Sequence, residues 1–198
     1  MSKLKEECGI FGIFGSDEAA VHTALGLHSL QHRGQEGAGI VSFDGESFFS
    51  VRKQGLVGDN FTNTETLSQL PGKTAIGHVR YSTTGESKTE NLQPLFANLA
   101  LGGFACAHNG NLTNTISLKK QLVKTGSIFQ TTSDTEIILQ LVARSKKKKL
   151  LDKLVDALSQ IKGAYSLIIL TNKKLIGIKD PYGIRPLVLG KKKMVLLF

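Results

Sequence analysis

Short apolar runs alternate with turn residues along the chain, which contains 21 glycines and only 4 prolines. This spacing is typical of a strand-rich fold with many tight turns and argues against a helical bundle. With 198 residues and 40% hydrophobic content, the chain can bury one sizeable core and is short for two. The patterns run from strands to helices and back to strands, which favours a single domain of α+β layers.

The apolar patterns also give approximate positions for the elements. Asp44-Gly45 lies between two β-rich runs and predicts a hairpin, and Asn172 marks the turn of a second one. Ser133 and Glu136 are three residues apart, which predicts a capping box at the start of a helix. The predicted strands cover residues 8–15, 38–43, 47–51, 73–79, 100–107, 164–170 and 175–178, and the predicted helices cover 16–30, 116–124, 134–143 and 150–161.

The formal net charge of +9 raises the question of a nucleic-acid partner, since basic surfaces attract phosphate polymers. Much of the excess lies in two lysine runs, at 146–149 and 191–193, with few aromatic residues beside them to stack bases. We interpret the first run as a solvated connection between helices. We therefore expect no nucleic-acid partner.

Other classes of protein are also disfavoured. No apolar stretch approaches the ~20 residues of a membrane helix, and no signal-peptide core precedes Cys8. We expect a soluble, cytoplasmic protein that does not bind a membrane. The two cysteines form neither a CxxC motif nor a Cys/His metal spacing, so we expect no metal site and no disulfide.

Cys8 and Cys106 each have a simple interpretation as small buried residues, because free cysteine packs well in protein cores. For Cys106 nothing nearby favours another role. For Cys8 the interpretation changes because of five polar motifs elsewhere in the chain. They are QHRGQEGAG at 31–39, GHVRYST at 77–83, AHNGNL at 107–112, SDTE at 133–136 and DPYGIRPL at 180–187.

Together with Cys8, these motifs resemble the class II glutamine amidotransferase domain, an N-terminal-nucleophile hydrolase. The similarity covers residues 6–189, and five motifs in the right order are far more specific than any one of them. The resemblance implies a four-layer αββα sandwich, with two stacked sheets between helical layers. It also implies an enzyme that hydrolyses glutamine to glutamate and ammonia.

The resemblance assigns catalytic roles to three residues. Cys8 becomes the nucleophile, while the Asn109 side-chain amide and the Gly110 backbone N–H become the oxyanion donors. Without the other motifs, Asn109-Gly110 would be a simple turn. We interpret His78 and His108 as packing or hydrogen-bonding residues, because a terminal amine can already supply the base.

Substrate-binding roles follow in the same way. Arg80 suits the carboxylate of glutamine and Asp134 its ammonium group, with a surface ion pair and a helix cap as the structural alternatives. Arg33 and Gly34 would shape the pocket wall. Residues 81–85, beginning at Tyr81, resemble the loop that closes over glutamine.

Position decides whether Cys8 can react. A free α-amino group has a pKa of ~7.7–8 and can take the thiol proton, but only a chain-terminal cysteine has such a group. We therefore expect residues 1–7 to form a propeptide and residues 8–198 to form the glutaminase domain. The resemblance implies self-cleavage between Glu7 and Cys8, with the thiol attacking the Glu7 carbonyl.

Within the class, the chain most resembles the amidotransferases that begin purine synthesis, and the residues at 32–36 and 126–130 favour them. In those enzymes the ammonia displaces pyrophosphate from phosphoribosyl pyrophosphate and gives phosphoribosylamine. That reaction needs a phosphoribosyltransferase domain, which is absent here, so we expect a C-terminally truncated chain. We expect no cofactor in this chain. The resemblance implies that full-length members use magnesium and form a homo-oligomer. They often also carry an iron–sulfur cluster, whose ligands would lie beyond Phe198.

Two alternatives stay open at this point. One is the glutaminase half of another amidotransferase, such as glucosamine-6-phosphate synthase or asparagine synthetase. The other is a non-catalytic remnant, because the tail at 191–198 departs from the family's continuing strand pattern. A final strand cut short could expose an apolar edge and promote association.

Overall fold

The computed structural model describes residues 7–81, 89–192 and 195–197. Two 3₁₀ turns, Gln31–Arg33 and Thr89–Asn91, accompany the helices and strands. The strands are β1 (Gly9–Phe14), β2 (Gly37–Phe43), β3 (Phe48–Gln54), β4 (Thr74–Arg80), β5 (Leu95–Leu99), β6 (Gly102–Leu112), β7 (Gly163–Thr171), β8 (Leu175–Lys179), β9 (Gly190–Lys192) and β10 (Val195–Leu197). The helices are α1 (Ala19–Ser29), α2 (Val57–Asn60), α3 (Thr64–Ser68), α4 (Thr115–Lys124), α5 (Thr135–Arg144) and α6 (Leu150–Leu158).

The strands form two antiparallel sheets. The larger sheet has the order β3-β2-β4-β1-β10-β9, and the smaller one has the order β5-β6-β7-β8. In the larger sheet β1 pairs with β4, so that Ile10 lies opposite His78. In the smaller sheet β6 pairs with β7 over nine residues, so that Asn109 lies opposite Ser166. The central strands β4 and β6 therefore carry two of the predicted polar motifs.

Three buried apolar clusters show how the layers are stacked. One joins α1, α2 and α3 to the outer face of the larger sheet through residues such as Leu27 and Val79. A second lies between the two sheets and includes Ile76 and Ile168. The third joins α4, α5 and α6 to the outer face of the smaller sheet, around residues such as Phe104. The α+β class and the αββα sandwich are thus confirmed.

Alternation along each strand decides which layer a side chain reaches, because successive side chains of a strand point to opposite faces. On β1, Ile10 belongs to the cluster between the sheets, whereas Ile13 belongs to the cluster beneath α1. On β6, Cys106 lies in the helix-side cluster and Ala107 lies between the sheets. Continuing that alternation puts Asn109 between the sheets.

Most predicted elements are present, including both hairpins, and Cys106 is buried in the core as predicted. The lysines at 146–149 are exposed and connect α5 to α6, as predicted. The strand predicted at residues 100–107 corresponds to β6, and its predicted end is wrong. β6 continues to Leu112, because residues 108–112 pair with β7. β5 was not predicted from the sequence.

The predicted capping box is wrong. The Glu136 carboxylate instead accepts hydrogen bonds from the backbone N–H groups of Gln130 and Thr131, the latter at 2.7 Å. The N–H of Ser133 donates to the Thr131 hydroxyl at 3.1 Å. The loop before α5 thus supplies the donors that the carboxylate needs.

The C-terminal tail does not leave its last strand at the edge of a sheet, in contrast to the possibility raised from the sequence. β9 and β10 extend the larger sheet, and β10 pairs on one side with β1 and on the other with β9. β10 is therefore not an edge strand, which removes the observation that favoured a remnant.

In the part of the chain that the structure describes, no helix is long and apolar enough to cross a membrane. The cytoplasmic location stays a prediction. So do the division into a propeptide at 1–7 and a domain at 8–198.

Candidate active site

Cys8 lies immediately before β1, where two hydrogen bonds fix its backbone against Arg33. Its N–H donates to the Arg33 carbonyl oxygen at 2.8 Å, and its own carbonyl oxygen accepts from Arg33 Nε at 2.7 Å. The Cys8 φ angle is +66°, a left-handed conformation that residues other than glycine seldom adopt. Arg33 thus holds the predicted nucleophile in a strained backbone, in addition to lining a cavity wall.

Gly34 allows this contact, because a Cβ atom there would lie 2.7 Å from the Arg80 carbonyl carbon. The 3₁₀ turn containing Arg33 can therefore approach the end of β4 closely. Alanine at this position would push the turn, and with it the clamp on Cys8, away from the strand.

The Cys8 thiol is a half-buried group at the end of β4. Its Sγ donates to the Tyr81 carbonyl oxygen at 3.6 Å. Burial raises the pKa of the Cys8 thiol above its ordinary value, against the lowering effects of that hydrogen bond and of the Arg80 charge. The thiol is therefore protonated at neutral pH and needs a base before it can attack.

Asn109 faces the same point from β6. In the orientation of its carboxamide that matches donors to acceptors, Nδ2 donates to the Glu7 carbonyl oxygen at 2.8 Å and Oδ1 accepts from Arg33 Nη2 at 3.3 Å. Asn109 is 3% exposed, so these bonds form away from bulk water. The predicted oxyanion donor therefore lies against the carbonyl group that precedes the nucleophile.

Gly110 can only be a glycine here. Its φ angle is +153°, and a Cβ atom would lie 2.2 Å from the Ala164 carbonyl oxygen on β7. The absence of a side chain keeps β6 and β7 paired where the strand passes the site.

A cleft of about 260 Å³ opens beside Cys8 and is lined mainly by polar groups. Arg80, Tyr81 and Asp134 all line it, as does Gly110. The structure therefore brings three of the predicted binding residues to the predicted nucleophile, from positions up to 126 residues away. Arg33 and Asn109 line a different cavity instead. Of the predicted closing loop, residues 82–85 lie outside the described residues. Tyr81 is 41% exposed.

Asp134 precedes α5 but does not cap that helix with its side chain. One carboxylate oxygen accepts from the Leu112 N–H at 2.9 Å, and the other lies 3.4 Å from His108 Nδ1. Burial alone would raise the pKa of Asp134, but its interactions with His108 and with Leu112 outweigh it and lower the pKa below the ordinary value. At neutral pH the cleft thus contains a carboxylate that can bind a cation.

Arg80 ends β4 and is half-buried. Among the described residues its Nη1 atom is buried without a hydrogen-bond partner. A buried guanidinium nitrogen of this kind gains when an anion binds, because its lost hydration is replaced. Within the described part of the chain, Arg80 does not form the surface ion pair that the sequence left open.

The two histidines form a chain of hydrogen bonds behind the cleft. His78 Nε2 donates to the His108 carbonyl oxygen at 3.2 Å, and His108 Nδ1 lies 3.1 Å from the Thr135 hydroxyl. Burial lowers the pKa of His78 to about 3, with smaller contributions from the charges of His108 and Arg80. His78 is therefore neutral at physiological pH, and both side chains make structural hydrogen bonds.

Several supporting contacts had no signal in the sequence. Gln93 Oε1 accepts from the His108 N–H at 2.8 Å, and so fixes β6 from the segment before β5. The Asn91 side chain bonds the backbone N–H and the hydroxyl of Thr132, each at 2.9 Å. These hydrogen bonds connect the segments that line the cleft. In the sequence, the same residues resemble any polar loop residue and so gave no signal.

Within the described ranges, no group of three or more histidine, cysteine, aspartate or glutamate residues could hold a metal ion. The magnesium ion and the iron–sulfur cluster stay predictions for longer members of the family.

The chain is similar to known proteins over almost its whole length. A family model, the glutamine amidotransferase domain, matches residues 78–198. Amidophosphoribosyltransferase from Rhizobium etli is 58% identical over 188 residues, which are 95% of this chain and 38% of the relative. The enzyme of that name from Bacillus subtilis is 53% identical over 94% of this chain and 39% of its own length.

A solved structure gives the same result. Glutamine phosphoribosylpyrophosphate amidotransferase from B. subtilis, complexed with ADP and GMP, superposes with a TM-score of 0.88 at 49% identity. The match covers 95% of this chain and 40% of the other, so the chain spans well under half the length of these relatives. The chain belongs to the glutamine amidotransferase domain family of the amidophosphoribosyltransferases.

Proposed function

We propose that this chain hydrolyses glutamine to glutamate and ammonia, with Cys8 as the nucleophile. The observation that carries the proposal is the meeting of three groups in one polar cleft. A half-buried thiol, Cys8, lines it together with the ionised carboxylate of Asp134 and the guanidinium of Arg80. A thiol between an anion and a cation suits an amino-acid substrate, whose own charges are complementary.

The reaction begins once the amino group of Cys8 is free. Its nitrogen lies 2.8 Å from the Arg33 carbonyl oxygen, which can orient the amine after cleavage. The amine takes the thiol proton, and the thiolate attacks the side-chain carboxamide carbon of glutamine. The carbon–nitrogen bond then breaks, and the amine returns its proton to the departing ammonia. Water hydrolyses the remaining thioester, which releases glutamate and restores the thiol.

Charge develops on the carboxamide oxygen during the attack. The Asn109 carboxamide can donate to that oxygen, and the neighbouring Gly110 N–H is the proposed second donor. Arg33 Nη2 holds the Asn109 Oδ1 atom, so the donor is oriented before substrate binds. Loss of one such donor typically slows comparable enzymes by about 10²–10³-fold.

Recognition of glutamine would use the two ends of the cleft. Arg80 can pair with the α-carboxylate and Asp134 with the α-ammonium group. Tyr81 adjoins both the thiol and the cleft, where its backbone oxygen already contacts Cys8. Because both charged partners belong to rigid elements, the substrate should bind in one orientation.

In a longer protein, the ammonia would react with phosphoribosyl pyrophosphate on a second domain and give 5-phosphoribosylamine for purine synthesis. The names of the relatives support this acceptor. They also disfavour a glucosamine-6-phosphate synthase or an asparagine synthetase as the parent. The homo-oligomer remains a proposal for such a longer protein.

The proposal is tested by ammonia release from glutamine, measured together with the intact mass of the chain. The wild-type chain, in its leader-free form, should release ammonia, and Cys8→Ala should release none. Cys106→Ala removes the other thiol and serves as the matched control, with thermal unfolding as a check that each variant is folded. Ammonia release by folded Cys8→Ala would exclude this mechanism.

A further inference from the structure

We propose that Asn109 acts on the chain itself before it acts on glutamine: its carboxamide stabilises the oxyanion formed when the Cys8 thiol attacks the Glu7 carbonyl carbon. One oxyanion site would then serve two reactions in sequence, removal of the leader and hydrolysis of glutamine. The inference extends the proposed function by assigning a donor to the cleavage step.

The strongest observation is that both polar groups of the Glu7–Cys8 peptide are already bound. The carbonyl oxygen accepts from Asn109 Nδ2 at 2.8 Å, and the N–H donates to the Arg33 carbonyl oxygen at 2.8 Å. A neutral hydrogen bond to a carbonyl oxygen strengthens when that oxygen becomes an anion. The donor is therefore in place at the atom where negative charge would develop.

The backbone conformation points to the same bond. Cys8 has a φ angle of +66°, and this angle describes rotation next to the bond that would be cut. Strained conformations of this kind persist only where surrounding contacts enforce them, and Arg33 supplies two such contacts. Transfer of the Glu7 acyl group from nitrogen to sulfur removes the strained peptide, so the strain favours the reaction.

The chemistry balances with water as the only co-reactant. Cys8 Sγ bonds to the Glu7 carbonyl carbon, and the tetrahedral oxyanion rests on Asn109. The carbon–nitrogen bond then breaks, the thiol proton passes to the nitrogen, and a thioester joins Glu7 to the Cys8 sulfur. Water hydrolyses the thioester and leaves a Glu7 carboxylate, a free thiol and the free Cys8 amine.

The contacts also separate the two reactions. Arg80 and Asp134, assigned to the α-groups of glutamine, make none of the hydrogen bonds described for the Glu7–Cys8 peptide. Until the leader leaves, the Glu7 carbonyl holds the Asn109 amide that glutamine would need. Cleavage therefore has to precede hydrolysis, and the two reactions share Cys8, Asn109 and the Arg33 contacts that hold them.

The test follows leader removal by intact mass over time after cell-free synthesis of the full chain. Asn109→Asp keeps the shape of the side chain but removes its donor, and it should slow cleavage by at least ~100-fold. Asn98→Ala, an exposed asparagine on β5, is the control and should be cleaved at the wild-type rate. Hydroxylamine, which intercepts thioesters, should yield a wild-type leader that ends in a hydroxamate at Glu7, and this product does not depend on which step limits the rate.

Cleavage of Asn109→Asp at the wild-type rate would overturn the inference. So would a wild-type leader that is released only with a Glu7 carboxylate in the presence of hydroxylamine, a result that does not depend on how any variant folds. Because the readout is mass and no glutamine is added, failure of glutaminase activity would leave this result intact. An Asn109-dependent cleavage without glutaminase activity would count against the proposed function alone.

Discussion

At Cys8, the surrounding backbone matters as much as the thiol. In the chain as described, the nitrogen is part of a peptide bond that is held by Arg33, and burial keeps the thiol protonated. In the proposed mechanism, removing the leader changes no side chain, but it turns that nitrogen into a base within the same residue as the thiol. On this proposal, the same atoms are first the substrate of the cleavage and then the catalyst of glutamine hydrolysis.

The charge of Asp134 should determine how well glutamine binds. Asp134→Asn keeps an oxygen for the Leu112 N–H but loses the negative charge, and hydrogen bonds to charged groups contribute about 1.5–3 kcal/mol. We expect KM for glutamine to rise by ~10–100-fold, as measured by initial rates of ammonia release. Asp152→Asn, an exposed carboxylate on α6, is the control. An unchanged KM in Asp134→Asn would refute the assignment.

The resemblance predicted a set of site residues, and the structure brings several of them together, but the sequence did not indicate how they are held. The resemblance of the motifs to a known family points to Cys8, Asn109 and Asp134, whereas each of these residues alone also fits a structural role. The clamp by Arg33 depends on a backbone oxygen, an Nε atom and an Nη2 atom contacting two different strands. Such contacts depend on three-dimensional register, which no spacing along the chain reveals.

Strand β6 organises the site because its alternation sends His108 and Asn109 to opposite faces. His108 reaches α5, and Asn109 reaches the Glu7 carbonyl between the sheets. The sequence predicted the end of this strand at residue 107, since polar residues commonly follow a buried run. Pairing with β7 prevails over that signal and carries the strand to Leu112.

Glycine at position 110 should be essential for this pairing. Gly110→Ala would bring a Cβ atom to 2.2 Å from the Ala164 oxygen, whereas Gly126→Ala meets nothing within 4 Å at a φ angle of +93°. Both variants carry backbone strain of about 1–2 kcal/mol, and only the first adds a clash. Denaturant unfolding should show a larger loss of stability for Gly110→Ala. Equal losses would mean that the strands can separate without cost.

At the scale of the whole molecule, the sandwich is what allows a site at the junction of its sheets. Cys8 enters from the larger sheet and Asn109 from the smaller one, so the proposed catalytic pair forms only when the layers are stacked. Composition and periodicity alone supported α+β layers, because they carry no information on sheet order. The resemblance to a known family supplied the architecture. The apolar residues at the end of the tail predicted a final strand, but not its pairing with β1 and β9.

Stability should depend on pH through His78, which is buried between the sheets. Its pKa is about 3 in the folded chain and near 6.5 when unfolded. Between these values the unfolded chain binds the extra proton, so the free energy of unfolding should fall as pH falls from 6.5 towards 3. The slope from this group can reach about 1.4 kcal/mol per pH unit. Denaturant titrations at several pH values give the free energy of unfolding as a function of pH. This free energy should change less with pH in His78→Gln than in the wild-type chain, and an unchanged pH dependence would exclude His78 as the cause.

The central claim is that glutamine hydrolysis requires the free amino group of Cys8. Its most direct test plots the rate of ammonia release against the fraction of molecules whose intact mass begins at Cys8, in samples taken while the leader is being removed. We predict a straight line through the origin. Ammonia release from a sample in which every molecule keeps Glu7 attached to Cys8 would contradict the claim.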